Sequence, residues 1–193
     1  MKRKKLVLFI DSGDTLVDES TQVWTSDDES SDDKSLVLET GFIEGAEAAI
    51  RLIHERGYTI SLVADGRERS FENVYSRQYN LRPCLDAWIV SETVGVQKPA
   101  PEMFQAAMDA LHLDDRDKSR IIMVGNNLGR DILGANRFGI ASVWIDWTTR
   151  YPKEPKSRDE VPDYTIHSPS ELPALMEKLE AILEKGGFIK EGI

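Results

Sequence analysis

The stretch that decides the fold is LVLFIDSGDTLVDE, residues 6–19. Five apolar residues precede Asp11, and a second acid, Asp14, follows three positions later. A continuous apolar run of this kind is typical of a strand in a parallel sheet that is covered on both faces. A carboxylate at the end of such a strand either caps the turn or acts as a nucleophile. The choice between these roles depends on residues further along the chain.

The chain continues with alternating strand and helix patterns. Short apolar runs that predict strands occupy residues 59–64, 87–91, 121–124 and 141–145. Segments with apolar residues at helical spacing occupy residues 45–56, 70–80, 101–113 and 129–139. This alternation predicts an α/β fold with a doubly wound, Rossmann-like parallel sheet. We expect a single domain over residues 1–193 that ends in a strand and a helix at 164–185.

One segment interrupts the alternation. Residues 20–40 are polar, and five acids and two serines occur within residues 27–33. This composition predicts an irregular, solvated loop. Because the segment follows the first strand directly, it is also a candidate for a short lid, and we expect it to serve as a minimal cap.

Composition and charge exclude several classes of function. The formal net charge of −10 argues against a nucleic-acid-binding protein and against an electrostatic membrane anchor. The apolar run at residues 6–10 is too short for a signal peptide. Cys84 is the only cysteine, so an internal disulfide is impossible and a reducing, cytoplasmic location is expected.

Residues that could perform chemistry or contact a ligand follow the ends of the predicted strands. They are Asp11, Gly13, Asp14 and Thr15 after the first strand, Ala64, Asp65, Gly66 and Arg67 after the second, Lys98 after the third, and Asn126 and Asp131 after the fourth. Open parallel sheets bind their ligands outside the carboxyl ends of the strands, which is where these residues lie. Asp11, Asn126 and Asp131 together would suit Mg²⁺, which prefers oxygen ligands. Lys98 would neutralise an anion, and backbone N–H groups around Gly66 would bind phosphate. The set favours phosphoryl transfer to a carboxylate.

Four motifs in order give the chain a family resemblance. They are DSGDTL at residues 11–16, LVADG at 62–66, VQKP at 96–99 and GNNLGRDILGA at 125–135. Together they resemble the motifs of the haloacid dehalogenase (HAD) superfamily of aspartate-nucleophile hydrolases over about residues 5 to 146. The resemblance implies that Asp11 is the nucleophile, that Thr15 orients its loop, that Lys98 steadies the anion, and that Asp131 helps to hold Mg²⁺.

The chain departs from the family pattern at four positions. Gly13 stands where the family has its general acid/base, and Asp14 stands where it has glycine. Ala64 replaces the hydroxyl residue of the second motif, and Asn126 replaces the first aspartate of the fourth. By the resemblance, the Gly13 carbonyl can still ligate Mg²⁺, whereas the uncharged Asn126 should bind it more weakly. Asp14 either takes over as the acid or hydrogen-bonds the turn backbone.

The sequence therefore predicts a HAD-like hydrolase, a Mg²⁺-dependent phosphomonoesterase that forms an aspartyl-phosphate on a small phosphate ester or an acyl phosphate. We expect no nucleic-acid or membrane partner, and a homodimer is a possible source of a lid. The alternative is a non-catalytic member that binds a ligand or a protein. Relatives that cleave carbon–halogen or phosphorus–carbon bonds also lack the second aspartate, but they use a large helical cap for which the segment after the first motif is too short.

Overall fold

The computed structural model describes residues 5–25 and 36–190. Eight strands occur in this part of the chain: β1 (Val7–Ile10), β2 (Val17–Trp24), β3 (Val37–Phe42), β4 (Thr59–Ala64), β5 (Ala87–Val90), β6 (Ile121–Gly125), β7 (Ala141–Ile145) and β8 (Tyr164–Ile166). Six of them form one parallel sheet in the order β5-β4-β1-β6-β7-β8. The expected doubly wound sheet is confirmed, and β1 lies at its centre between β4 and β6.

Helices connect the strands on both faces of the sheet. They are α1 (Ala46–Glu55), α2 (Glu68–Phe71), α3 (Ser91–Val94), α4 (Pro101–Ala110), α5 (Leu133–Phe138) and α6 (Leu172–Glu184). A π-helical segment (Glu72–Gln78) continues α2, and another (Leu128–Ile132) leads into α5. Short 3₁₀-helical segments occupy Arg82–Cys84, Asp115–Arg120, Arg158–Glu160 and Pro169–Glu171. No helix within the described ranges is long and apolar enough to cross a membrane.

The strands of the main sheet are buried on both faces, as the apolar run at residues 6–10 predicts. Leu8 and Ile10 of β1 point into a core that also contains residues of α1 and α6. Val7 and Phe9 point to the opposite face, where they pack with residues of α4 and α5. Since both faces of β1 are covered, the position after Ile10 is fixed at the carboxyl edge of the central strand.

The segment after the first motif differs from the expected irregular loop. Its two ends, β2 and β3, pair as an antiparallel ribbon in which Val17 lies opposite Phe42 and Trp24 opposite Val37. The pairing is supported by polar contacts, because the Thr40 hydroxyl donates to the Asp18 carbonyl across the ribbon. The loop prediction is therefore wrong at both ends of the segment. These strands pair through polar contacts, so they lack the apolar alternation by which an ordinary strand is recognised. The middle of the acidic segment lies outside the described residues.

Candidate active site

The centre of the site is an ion pair between Asp11 and Lys98. Asp11 follows β1 directly, and its N–H donates to the Val124 carbonyl at 3.0 Å, which continues the sheet for one residue. The Lys98 Nζ lies 2.6 Å from Asp11 Oδ1. The Thr15 hydroxyl donates to the other oxygen, Oδ2, at 3.2 Å. Both oxygens of the predicted nucleophile are thus held by residues of the predicted set.

Lys98 reaches this position from a loop between α3 and α4. Its side chain is 1% exposed, and its ammonium group lies 2.7 Å from Asp131 Oδ1 and donates to the Val63 carbonyl at 2.8 Å. With Asp11, these partners match the three N–H groups that an ammonium carries. Burial lowers the pKa of Lys98, but the surrounding Asp11 and Asp131 carboxylates outweigh burial and raise it, so the ammonium stays charged.

Asp131 lies in the π-helical segment after β6, where the chain turns back toward the sheet edge. Its side chain is 1% exposed, and the Asn127 N–H donates to its Oδ2 at 3.0 Å. Burial raises the pKa of Asp131, and the Lys98 ammonium opposes this effect. Asp11, Lys98 and Asp131 are thus brought together as the sequence predicts, although they are separated by long stretches of chain.

The oxygen atoms at this edge fit a hard divalent cation. Asp11 and Asp131 supply two carboxylates, and Asn126 follows β6 beside them. The Asn126 backbone carbonyl accepts a hydrogen bond from Trp144, whereas its buried side-chain nitrogen has no hydrogen-bond partner in the described structure. An unpartnered buried amide is costly, and a rotated Asn126 amide would turn its oxygen toward a bound cation instead. This chemistry suits Mg²⁺, which takes oxygen ligands and keeps several waters.

The space beside Gly13 is filled by a side chain that the sequence did not single out. A Cβ atom added at Gly13 would lie 2.8 Å from the Glu19 Cδ and closer still to its Oε1. Glu19 lies on β2, and its carboxylate turns back toward the start of the first motif. Burial raises the pKa of Glu19, the Asp14 charge adds to this rise, and Arg150 opposes it.

Asp14 holds the Glu19 backbone in position through a buried carboxylate. Its side chain is 1% exposed, its Oδ1 accepts a hydrogen bond from the Glu19 N–H at 3.1 Å, and its Oδ2 lies 2.6 Å from Arg150 Nε. Burial raises the pKa of Asp14, and its bonds to Glu19 and Arg150 oppose this rise. Asp14 is not among the residues that line the two cavities of the site. Of the two interpretations of Asp14, the geometry matches the one in which it holds the turn.

Two adjoining cavities open at this edge of the sheet. The smaller, about 40 Å³, is polar, and its lining includes Asp11, Lys98, Asn126 and Asp131. The larger, about 350 Å³, lies between the β2–β3 ribbon and the α2 segment. Its apolar lining comes from Val17, Trp24, Val37, Phe71, Val74 and Tyr75. Gly13, Glu19 and Asp65 line both cavities and therefore mark the boundary between them.

The predicted phosphate-binding stretch is only partly at the site. Ala64 is buried at the end of β4, whereas Asp65, Gly66 and Arg67 line the larger cavity. The Gly66 N–H already donates to the Ser91 hydroxyl at 2.9 Å, so it is not available for phosphate. Asp65 has a structural contact as well, because its Oδ1 accepts the Lys98 N–H at 2.9 Å. The Gly66 N–H is thus engaged within the protein, and phosphate binding by its neighbours stays a prediction.

Four residues outside the predicted set also belong to the site. Glu19, Asn127, Arg130 and Tyr151 line the smaller cavity together with the predicted residues. Tyr151 and Arg130 stand just past strand ends, and this position is a signal that sequence reasoning can use. Glu19 had no such signal, because it lies inside a strand that the sequence does not reveal.

Comparison with known proteins identifies the family. A family model described as haloacid dehalogenase-like hydrolase matches residues 7–139. A glyceraldehyde 3-phosphate phosphatase of Pyrococcus furiosus is 30% identical over 139 residues, which are 72% of this chain and 54% of that protein. The chain spans about half the length of the curated relatives it matches.

Solved structures show the same fold. The HAD-hydrolase YfnB of Bacillus subtilis, bound to magnesium, superposes with a TM-score of 0.60 at 23% identity. The superposition covers 70% of this chain and 56% of the YfnB chain. An uncharacterised protein of Listeria monocytogenes superposes with a TM-score of 0.66 at 17% identity. This superposition covers 90% of this chain and 99% of the Listeria chain. With the family model matching more than half of its residues, the chain belongs to the haloacid dehalogenase-like hydrolases.

Proposed function

We propose that the protein is a Mg²⁺-dependent phosphomonoesterase that acts through an aspartyl-phosphate on Asp11. The observation that carries the proposal is the placement of the Asp11 carboxylate. It lies at the end of the central strand, between the Lys98 ammonium and the Thr15 hydroxyl, and it lines a polar cavity. The phosphatase name of the Pyrococcus furiosus relative supports the same reaction class.

In the first half of the proposed reaction, an Asp11 carboxylate oxygen attacks phosphorus and the bond to the leaving oxygen breaks. Lys98 neutralises negative charge beside the attacking group, and its three protein acceptors keep it from moving away. Thr15 fixes the rotation of the Asp11 carboxylate. In the second half, water attacks phosphorus, the bond to Asp11 breaks, and inorganic phosphate leaves.

Asp11, Asp131, the Asn126 side chain and the Gly13 carbonyl would hold Mg²⁺. When bound, Mg²⁺ supplies positive charge to the phosphoryl oxygens. Because Asn126 carries no charge, we expect this site to bind Mg²⁺ more weakly than a site with a third carboxylate.

The leaving group of the substrate would lie in the larger cavity. That cavity is wide enough for a small organic group, and aromatic side chains including Phe71 and Tyr75 line it. We therefore propose a small phosphate ester with a partly apolar leaving group. In this proposal the β2–β3 ribbon, rather than an irregular loop, serves as the minimal cap of a single domain.

Beryllofluoride tests the proposal without a guess at the substrate, because with Mg²⁺ it mimics a phosphorylated aspartate. Calorimetric titration of the wild type should show binding that requires Mg²⁺, and Asp11→Asn should abolish it. Asp109→Asn, at an exposed position on α4, is the matched control and should bind as the wild type does. No binding to the wild type would refute the phosphatase proposal and would favour the alternative, a non-catalytic member that binds a ligand or a protein.

A further inference from the structure

Gly13 leaves the proposed phosphatase without a proton donor at the position where the family carries one. The leaving oxygen of an unactivated ester needs a proton as its bond to phosphorus breaks, and loss of a general acid typically costs about 10²–10⁴-fold. The structure places another carboxylate in this space.

We propose that Glu19 is the catalytic acid and base of this enzyme, acting from the β2–β3 ribbon in place of a side chain at position 13. This inference rests on the proposed phosphatase function. The Glu19 carboxylate lies where a side chain at Gly13 would begin, since an added Cβ would be 2.8 Å from Glu19 Cδ. The two carboxyl oxygens of an aspartate lie only two bonds beyond its Cβ, so Glu19 Oε1 falls within the volume that such a group would fill.

The position of Glu19 relative to the cavities agrees with this role. Glu19 lines both the polar cavity that contains Asp11 and the larger cavity that suits the leaving group. The leaving oxygen of a bound ester must lie at the boundary between phosphoryl group and leaving group. Glu19 therefore lines the place where the leaving oxygen of a bound ester would need a proton.

The Glu19 carboxylate is also held in place. The Glu19 backbone N–H donates to Asp14 Oδ1. Glu19 Oε2 lies 3.3 Å from Arg150, and the Arg150 Nε is paired with Asp14. These contacts leave Oε1 on the side of Gly13. A general acid needs such fixation, because a small displacement of the donor sharply reduces the rate of proton transfer.

Asp65 is the rival donor, since it also lines both cavities. Its Oδ1 accepts the Lys98 N–H at 2.9 Å, and its Oδ2 lies 3.7 Å from Arg130. Asp65 Oδ1 is thus occupied by the backbone N–H of Lys98, and Asp65 follows β4 rather than replacing the side chain missing at position 13. The geometry favours Glu19.

Glu19 gives up one proton and regains one in each reaction cycle. As Asp11 attacks phosphorus and the ester bond breaks, the proton on Glu19 Oε1 passes to the leaving oxygen, which departs as an alcohol. The Glu19 carboxylate then takes a proton from the water that attacks the aspartyl-phosphate. Phosphate is released, Asp11 is restored, and Glu19 is protonated again.

The dependence on the leaving group tests the role of Glu19. The proton matters little for para-nitrophenyl phosphate, whose leaving group is stable as an anion, and much for phenyl phosphate. We expect Glu19→Gln to lower kcat/KM for phenyl phosphate by about 10²–10⁴-fold and for para-nitrophenyl phosphate by about tenfold at most. Glu39→Gln is the matched control, since it makes the same change at an exposed position of the same ribbon. Asp65→Asn should change both substrates by similar factors.

Relocation of the acid gives a second test. The Gly13 backbone does not adopt a left-handed conformation, so the Glu19 side chain is what limits the space for a residue there. Glu19→Ala should lose phenyl phosphate hydrolysis as Glu19→Gln does. Adding Gly13→Asp to Glu19→Ala should raise kcat/KM for phenyl phosphate at least about tenfold above that of Glu19→Ala alone.

The outcomes separate this inference from the proposed function. If the wild type is inactive and does not bind beryllofluoride, the proposed function itself fails. If the wild type is active but Glu19→Gln affects both esters equally, or neither, the inference is wrong and the function stands. A selective loss in Asp65→Asn would also overturn it. If the double variant fails to fold, as judged by circular dichroism, the Glu19→Gln comparison alone decides.

Discussion

Replacement of Lys98 by methionine should make the protein unstable in the absence of a divalent cation. The Lys98 side chain is 1% exposed and its ammonium lies 2.6 Å from Asp11 and 2.7 Å from Asp131. Lys98→Met keeps the length of the side chain and leaves two buried carboxylates facing each other. Removing one partner of a buried ion pair costs about 3–5 kcal/mol. For a chain of this size, that loss corresponds to a fall in Tm of about 6–20 °C.

The control for this experiment is Lys153→Met. Lys153 pairs with Asp146, but its side chain is 42% exposed, so its removal should change the free energy of unfolding by about 0–1 kcal/mol. Urea unfolding followed by circular dichroism, in EDTA and in excess Mg²⁺, measures the free energy of unfolding of both variants. The deficit of Lys98→Met should shrink in Mg²⁺, because a cation held by the proposed ligands Asp11 and Asp131 would stabilise the folded state.

The pH dependence of Lys98→Met has a definite sign. Burial already raises the pKa of Asp131 in the presence of Lys98, and loss of the ammonium must raise it further. A carboxyl whose folded pKa lies above its unfolded pKa binds more protons when folded, so stability falls as pH rises through that range. The deficit should therefore be smaller at acidic than at neutral pH. If Lys98→Met in EDTA is no less stable than Lys153→Met, this account of the buried charges is refuted.

Three further substitutions test other parts of the structure. Asn126→Asp adds a charge to the proposed metal site and should tighten Mg²⁺ binding by about tenfold or more in a calorimetric titration; unchanged affinity would remove Asn126 from the ligand set. Gly134→Ala should destabilise the protein by about 1–3 kcal/mol in urea unfolding, because the new Cβ would lie 2.6 Å from the Phe104 ring. Arg150→Met should cost about 1–2 kcal/mol in the same assay, less than a fully buried pair, because Arg150 is 40% exposed while its partner Asp14 is buried.

The sequence predicts the main sheet well because its strands are short apolar runs bounded by turns. Residues after parallel strands meet at one edge whatever the loops between them do, and this rule brings Asp11, Lys98 and Asp131 together. The detailed geometry of the Lys98 ammonium between the two carboxylates does not follow from the strand rule alone. It depends on how the α3–α4 loop turns, which no local pattern specifies.

The β2–β3 ribbon escapes prediction for a physical reason. The strand VDESTQVW of β2 has most of its residues partly or fully exposed, so it shows no apolar alternation. Its pairing depends on residues far away in sequence, such as the Gln78 side chain, which bonds both backbone groups of Thr40. Glu19 is hidden from sequence reasoning by the same cause, because its role depends on a strand whose partner and support lie elsewhere.

The unusual residues of the first motif are best understood as one coupled set. Asp14 adopts a positive φ of 49°, a conformation that favours glycine and that aspartate tolerates. Once an aspartate occupies this position, its buried carboxylate binds the Glu19 N–H and Arg150, and Arg150 in turn contacts the Glu19 carboxylate. That carboxylate then requires the space that a side chain at Gly13 would take. A glycine at position 13 therefore leaves room for the Glu19 carboxylate, and a single return to the family residue at position 13 or 14 should not restore the family geometry while Glu19 remains.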